Sequence, residues 1–182
     1  MRVSIGGDHA GPALKKVLTT YLESQGIEVI NRGTDSEESV DYPDHAHAVS
    51  EDVASASVDF GILICGSANG VAMTANKHQS VRAGLAWNSE VAKLVKQHNN
   101  ANVLCIPARF VTEAEGLDIL KAYMEEEFEG GRHERRVNKI ACAVILCLLS
   151  LVPSLQALAQ LENPQPYACL LYTSPSPRDT MS

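Results

Sequence analysis

The stretch Phe60-Gly61-Ile62-Leu63-Ile64-Cys65-Gly66-Ser67-Ala68-Asn69-Gly70-Val71 leaves this chain few architectures. Phe60 to Ile64 is a short apolar run bounded by turn signals, the pattern of a strand buried on both faces in a parallel sheet. A thiol and a loop of small residues follow, and then the start of a helix. In open parallel sheets, ligands sit beyond the carboxyl ends of the strands, so Cys65 stands where chemistry usually takes place. The small residues after it leave backbone N–H groups free to face an anion. Read alone, a Cys-Gly pair is an ordinary buried thiol before a turn. The rest of the chain argues for more.

The alternation on either side of this stretch fixes the fold class. Val3-Ser4-Ile5 is a first strand, and Pro12 to about Ser24 an amphipathic helix with Leu14, Val17, Leu18, Tyr21 and Leu22 on one face. Pro12 suits its first turn and Gly26 its end. Glu28 to Asn31 is a strand, Gly33 to Asp44 a polar loop, and His45 to Ala56 a helix. Val81 to Ala86 is the fourth strand, Ser89 to His98 a helix capped by Ser89, and Val103 to Ile106 the fifth strand. Thr112 to Phe128 is a long helix whose Thr112 and Glu115 have capping-box spacing. Glu129-Gly130-Gly131 breaks it. Strands alternating with helices predict an α/β fold, a five-stranded parallel sheet with right-handed crossovers.

The chain has 182 residues and a formal net charge of −7, which argues against a nucleic-acid surface. Five cysteines at irregular spacing make neither a disulfide framework nor a zinc pattern, and fit reduced thiols in cytoplasm. Met1 leads directly into a strand, so no signal peptide is expected there. After Lys139 the composition changes. Ile140 to Leu161 carries no charge and, behind Arg135, Arg136 and Lys139, has the layout of a secretory signal peptide in the wrong place. Pro153, Gln156 and Gln160 weaken a membrane-anchor reading. Leu170 to Asp179 has no core-forming pattern and resembles translated adaptor sequence. The expected organisation is a domain over 1–140 and a fusion or assembly tail over 141–182, with no membrane partner.

Reactive groups gather after strands or at helix ends. Asp8-His9 follows the first strand, Cys65 ends the third, and His98-Asn99 closes the helix before the fifth. Arg109 follows the fifth strand. Arg132 and Arg136, four apart, share a helix face and could grip one phosphate. His45 and His47, two apart on a helix, point away from each other and are not read as metal ligands. Jointly the set has a chemical logic. A thiolate whose pKa is lowered by positive charge or a helix N-terminus is a competent carbon base. Backbone N–H groups from Gly66 to Gly70 could hold a developing oxyanion. A histidine moves protons near neutral pH, and arginines anchor a remote phosphate to position the reacting carbons. That is proton transfer alpha to a carbonyl on a phosphorylated sugar, with no cofactor and no metal required.

Gly6-Gly7-Asp8-His9-Ala10-Gly11, Asp41-Tyr42-Pro43, Cys65-Gly66-Ser67-x-x-Gly70, Ala75-Asn76-Lys77, His98-Asn99-x-x-Asn102-Val103-Leu104 and Gly130-Gly131-Arg132-His133-x-x-Arg136-Val137 occur in this order over about residues 1 to 140. Together they resemble the B-type ribose-5-phosphate isomerases, a family that includes the galactose-6-phosphate isomerase subunits. The resemblance implies a Rossmann-like three-layer sandwich, a homodimer with active sites shared across its interface, and a tetramer as a further option. It implies aldose–ketose isomerisation through an enediolate, without a metal. Cys65 matches the proton-abstracting position and His98 the residue that assists ring opening. The glutamate that some members use instead of the cysteine would stand at Val71. Asp8 falls near the sugar hydroxyls, and Asn99 matches a substrate-binding position. His9, Arg109, Arg132 and Arg136 match the phosphate site, and Gly66, Ser67, Ala68, Asn69 and Gly70 the loop around the enediolate oxygens. Ala68 stands where a glycine is usual, and its Cβ limits the loop's dihedrals. The expected substrate is ribose 5-phosphate. A hexose 6-phosphate isomerase and a non-catalytic sugar-phosphate-binding module are the alternatives.

Overall fold

The computed structural model describes residues 1–141. Expectations for the apolar tail lie outside the described residues. Five strands alternate with helices: β1 (Arg2–Gly7), α1 (Pro12–Ser24), β2 (Glu28–Asn31), α2 (Tyr42–Ala54), β3 (Phe60–Cys65), α3 (Asn69–Ala75), β4 (Ala83–Leu85), α4 (Ser89–Asn99), β5 (Val103–Pro107), α5 (Glu113–Glu125) and α6 (Arg132–Val137). All strand pairs are parallel, in the order β2-β1-β3-β5-β4. The expected α/β class and five-stranded parallel sheet are what the structure shows.

The sheet divides the core by strand alternation. Ile62 and Ile64 of β3, with Leu104 and Ile106 of β5, face a cluster completed by Leu14, Leu18 and Leu22 of α1, Ala92 and Val95 of α4, and Ile119, Leu120 and Tyr123 of α5. Leu63, Cys65, Val103 and Cys105 face the other way, onto Ala46 and Val49 of α2 and Val71 and Ala75 of α3. Successive side chains on opposite faces, both covered by helices, make the three layers. Each fully buried large apolar side chain contributes about 1.5–3 kcal/mol. Among the described residues no helix is long and apolar enough to cross a membrane.

Several ends differ from expectation, each for a local reason. β1 runs on through Gly6 and Gly7, because only glycine lets β1 lie this close to β3; a Cβ on Gly7 would meet the Ile64 carbonyl. α2 begins at Tyr42, with Asp41 at its N-cap and Pro43 in its first turn. The cap of α4 is Asn88, whose side chain accepts the Val91 N–H at 2.8 Å, rather than Ser89. α5 starts with the expected capping box on Thr112 and Glu115, but stops at Glu125, where the backbone turns extended. Lys15, on the predicted polar side of α1, is buried: its Nζ donates to Asn31 Oδ1 and the Thr34 carbonyl and pairs with Asp35 at 2.7 Å.

The strand order sets the site. From β1 the chain moves outward to β2, then returns to build β3 on β1's other side. That reversal opens a crevice at the carboxyl ends of β1 and β3. Asp8 follows β1, and Cys65 is the last residue of β3.

Candidate active site

Backbone hydrogen bonds build the first cluster of candidate residues. The Asp8 N–H donates to the Ile64 carbonyl at 3.2 Å, setting the Asp8 side chain beside the end of β3. Its carboxylate also accepts the Ala10 N–H at 2.9 Å, a local turn that fixes its direction. From β5, the Ala108 N–H donates to Cys65 O at 3.0 Å and the Arg109 N–H to Gly66 O at 3.1 Å. The Arg109 guanidinium therefore lies against Gly66, 3.2 Å from where a Cβ would stand. Asp8 and Cys65 are buried, Ser67 and Asn69 exposed, and Gly70 half-buried beneath the Tyr42 ring. His9 joins this edge with a buried Nδ1 that has no hydrogen-bond partner. A polar ring nitrogen held this way has binding capacity unspent.

The thiol differs from expectation. Burial first, then the hydrogen bond and negative charge of Asp8, push the Cys65 thiol above its ordinary value, while the N–H groups of Ser67 and Ala68 pull it down. Within one protomer the loop's N–H groups do not outweigh desolvation. Ala68 itself is buried with φ +58° and ψ 0°, the left-handed conformation for which glycine is suited. The loop has its glycine-type shape without the glycine, at a local cost of roughly 1–2 kcal/mol.

His98, Asn99, Arg132 and Arg136 form a second cluster elsewhere. α4 ends at Asn99, just before β5 begins, so His98 and Asn99 lie at the amino edge of the sheet. Cys65, paired with Pro107, lies at the carboxyl edge. Five residues of β5 separate the two edges by roughly 16 Å. Gly130 and Gly131, both at positive φ, turn the chain so that α6 folds back on α4. Glu129 N–H donates to Gln97 O at 3.1 Å, and the His133 ring stacks on His98 with centroids 4.1 Å apart and planes within 9°. Arg132 and Arg136 are exposed on α6, as their spacing predicted, and so is Asn99. One protomer does not bring Cys65 and His98 together.

Two residues of this second cluster were missed from sequence. Glu129 Oε2 lies 3.9 Å from His98 Nε2 and 3.6 Å from His133 Nε2. His133 is buried and accepts a hydrogen bond from Arg132 Nε at 3.1 Å. The Arg132-His133 dipeptide was visible, but a histidine beside an arginine carries no signal of burial. His98, Glu129 and His133 offer three ligand atoms within 4.8 Å of one another. Stacked rings, however, hold their nitrogen lone pairs in parallel planes instead of aiming them at one point, and Arg132 already occupies His133 Nε2. A tetrahedral metal would find no convergent donors there. His45 Nδ1 meets the Arg32 carbonyl and His47 meets His78, so those two histidines do part as expected.

The family described as Ribose/Galactose Isomerase matches residues 3–140. A probable ribose-5-phosphate isomerase B of Mycoplasma genitalium is 43% identical over 140 residues, covering 76% of this chain and 92% of its own. The ribose-5-phosphate isomerase B of Escherichia coli is 40% identical over 139 residues, covering 76% and 93%. The crystal structure of a Thermotoga maritima ribose 5-phosphate isomerase superposes with a TM-score of 0.75 at 43% identity, covering 77% of this chain and 97% of that one. A Mycoplasma genitalium ribose-5-phosphate isomerase B with bound ribulose-5-phosphate gives 0.74 at 42% identity, covering 76% and 93%. The chain belongs to the ribose/galactose isomerase family.

Proposed function

We propose that this protein is an aldose–ketose isomerase that interconverts ribose 5-phosphate and ribulose 5-phosphate by proton transfer through an enediolate. The observation that carries the reading is the thiol of Cys65 beside Asp8, at the mouth of a backbone N–H loop. Similarity to relatives named for this reaction, one of them with ribulose-5-phosphate bound, supports it.

In the forward direction the Cys65 thiolate takes the proton from C2 of the open-chain aldose, and the electron pair moves into the C1 carbonyl to give the enediolate. Passage of the O2 hydroxyl proton to O1, and return of the carbon proton from Cys65 to C1, yield the ketose. N–H groups across Gly66, Ser67, Ala68, Asn69 and Gly70 stabilise the oxygen charge that develops. His98 moves protons on the ring oxygen, with Asp8 and Asn99 holding hydroxyls. His9 and Arg109 from one edge, and Arg132 and Arg136 from the other, take the phosphate. Its binding energy positions C1 and C2.

The separation of the two clusters by the length of the sheet supports a homodimer in which each site combines one protomer's carboxyl edge with its partner's amino edge. The isomerase domain is residues 1–140, with 141–182 a fusion or assembly tail and the enzyme cytoplasmic.

The test is isomerisation of ribose 5-phosphate by the chain truncated after Lys139, beside its Cys65→Ala variant, with allose 6-phosphate as a second substrate. Pentose turnover that falls at least about 100-fold with Cys65→Ala is expected. Turnover of the hexose phosphate alone would keep the chemistry and change the substrate. Binding without turnover of either would leave a sugar-phosphate-binding module.

A further inference from the structure

Resting on that reading, we infer that His133 is a positioning residue that locks His98 and Arg132 into one unit. The ring that moves protons and the cation that holds phosphate thereby reach the substrate at a fixed spacing. The two ends of the His133 side chain do different jobs. Its face stacks on His98 at 4.1 Å and 9°, a restraint on a partly exposed side chain at a helix end. Its Nε2 accepts the Arg132 Nε–H at 3.1 Å. An arginine held through Nε keeps both terminal nitrogens free and aimed for a bidentate anion contact.

The electrostatics favour this arrangement. An imidazole that accepts through Nε2 must be neutral, with its proton on Nδ1. Burial first, then the positive charges of His98, Arg132 and Arg136, hold His133 below the usual imidazole range, against the pull of Glu129. A neutral ring can lie against His98 in either protonation state of His98, and Glu129, 3.9 Å from His98 Nε2, offsets the charge when His98 carries a proton. The Glu129 N–H bond to Gln97 and the His133 N–H bond to Gly130 O fix the turn from which both side chains project. Gly130 and Gly131 supply its positive φ.

Two substitutions separate the two jobs. His133→Phe keeps a flat ring against His98 but deletes the acceptor. His133→Gln keeps an acceptor near the Nε2 position but deletes the stacked ring. Steady-state kinetics on ribose 5-phosphate and calorimetric titration with inorganic phosphate are measured on the full chain. For His133→Phe, KM rises and phosphate affinity falls by about tenfold with kcat nearly kept, the size expected for loss of one charge-assisted hydrogen bond. For His133→Gln, kcat falls by about threefold to tenfold with KM and phosphate affinity nearly kept, the size of an aromatic stacking restraint. His133→Phe and Arg132→Ala together bind phosphate no more weakly than Arg132→Ala alone.

Equal losses of kcat and KM in both variants, or no change in either, would overturn the proposal in favour of a merely structural histidine. So would fully additive losses in the double variant. A wild-type chain that fails to turn over ribose 5-phosphate would count against the isomerase reading, while the phosphate titrations would still decide the link between His133 and Arg132.

Discussion

The two edges of the sheet are built by different physics. At the carboxyl edge, around Cys65, position comes from buried backbone: Asp8 is tied to Ile64, Arg109 to Gly66, and glycines permit the close strand contact. At the amino edge, around His98, position comes from side chains: a stacked imidazole pair, a carboxylate near the Nε2 atoms of both rings and two exposed arginines. The first is held by backbone hydrogen bonds that continue the sheet past its strand ends. The second is held by contacts worth about a kilocalorie per mole each, on a short helix turned by two glycines. The contrast fits the chemistry assigned to each. Stabilising an oxyanion rewards fixed dipoles, whereas moving protons on the ring oxygen requires a titratable group that backbone cannot supply.

The largest effect tests whether the edges work together across subunits. Cys65→Ala and His98→Asn each lower turnover about 10²–10⁴-fold as homodimers. Mixed, unfolded together and refolded, they recover about a quarter of wild-type activity, since half of the random dimers then carry one intact site of two. No recovery would place both residues of a working site in one protomer.

Stability separates the edges next. Gly7→Ala drives a Cβ into the Ile64 carbonyl, and costs about 3 kcal/mol in denaturant unfolding because a strand backbone must move. A cost near zero would show that the β1–β3 contact is looser than the structure has it.

A third test reads the thiol. Asp8 accepts from the protonated thiol and repels the thiolate, and both effects raise its pKa. Asp8→Asn therefore moves Cys65 titration to lower pH and speeds iodoacetamide alkylation near neutrality. An unchanged pH profile of alkylation would mean that Asp8 does not face the sulfur.

The smallest effect belongs to the amino edge. Gly130 lies at φ +65° with open space around it, so Gly130→Ala meets only backbone strain and costs about 1 kcal/mol. A cost matching that of Gly7→Ala would erase the distinction between a packed edge and an open one.

Much of the carboxyl edge was readable from sequence because local rules build it. An apolar run ending in Cys65, the loop of small residues, and Asp8 directly behind β1 all follow from periodicity and turn chemistry. The Thr112–Glu115 cap was equally local. Burial of Lys15 was not, since its partners Asn31, Thr34 and Asp35 come from β2 and the loop after it. The direction of the Cys65 shift was not legible for the same reason. Its pKa follows from how deeply the sheet buries it and from a carboxylate that follows another strand, and neither is written beside it in the chain.

By itself, the sequence determined that five strands would alternate with helices in a parallel sheet, that the reactive groups would cluster around strand and helix ends, and which family the motifs resemble. Hydrophobic period and capping act within a few residues, so they are legible one segment at a time. Only the tertiary structure decided the order β2-β1-β3-β5-β4, which sets Asp8 against Cys65 and inserts β5 between β3 and the edge strand. It alone placed His98 the length of β5 away from the thiol and laid His133 on its face. Those outcomes depend on which distant surfaces bury one another, and the energy that selects them belongs to pairs of segments, not to any one of them.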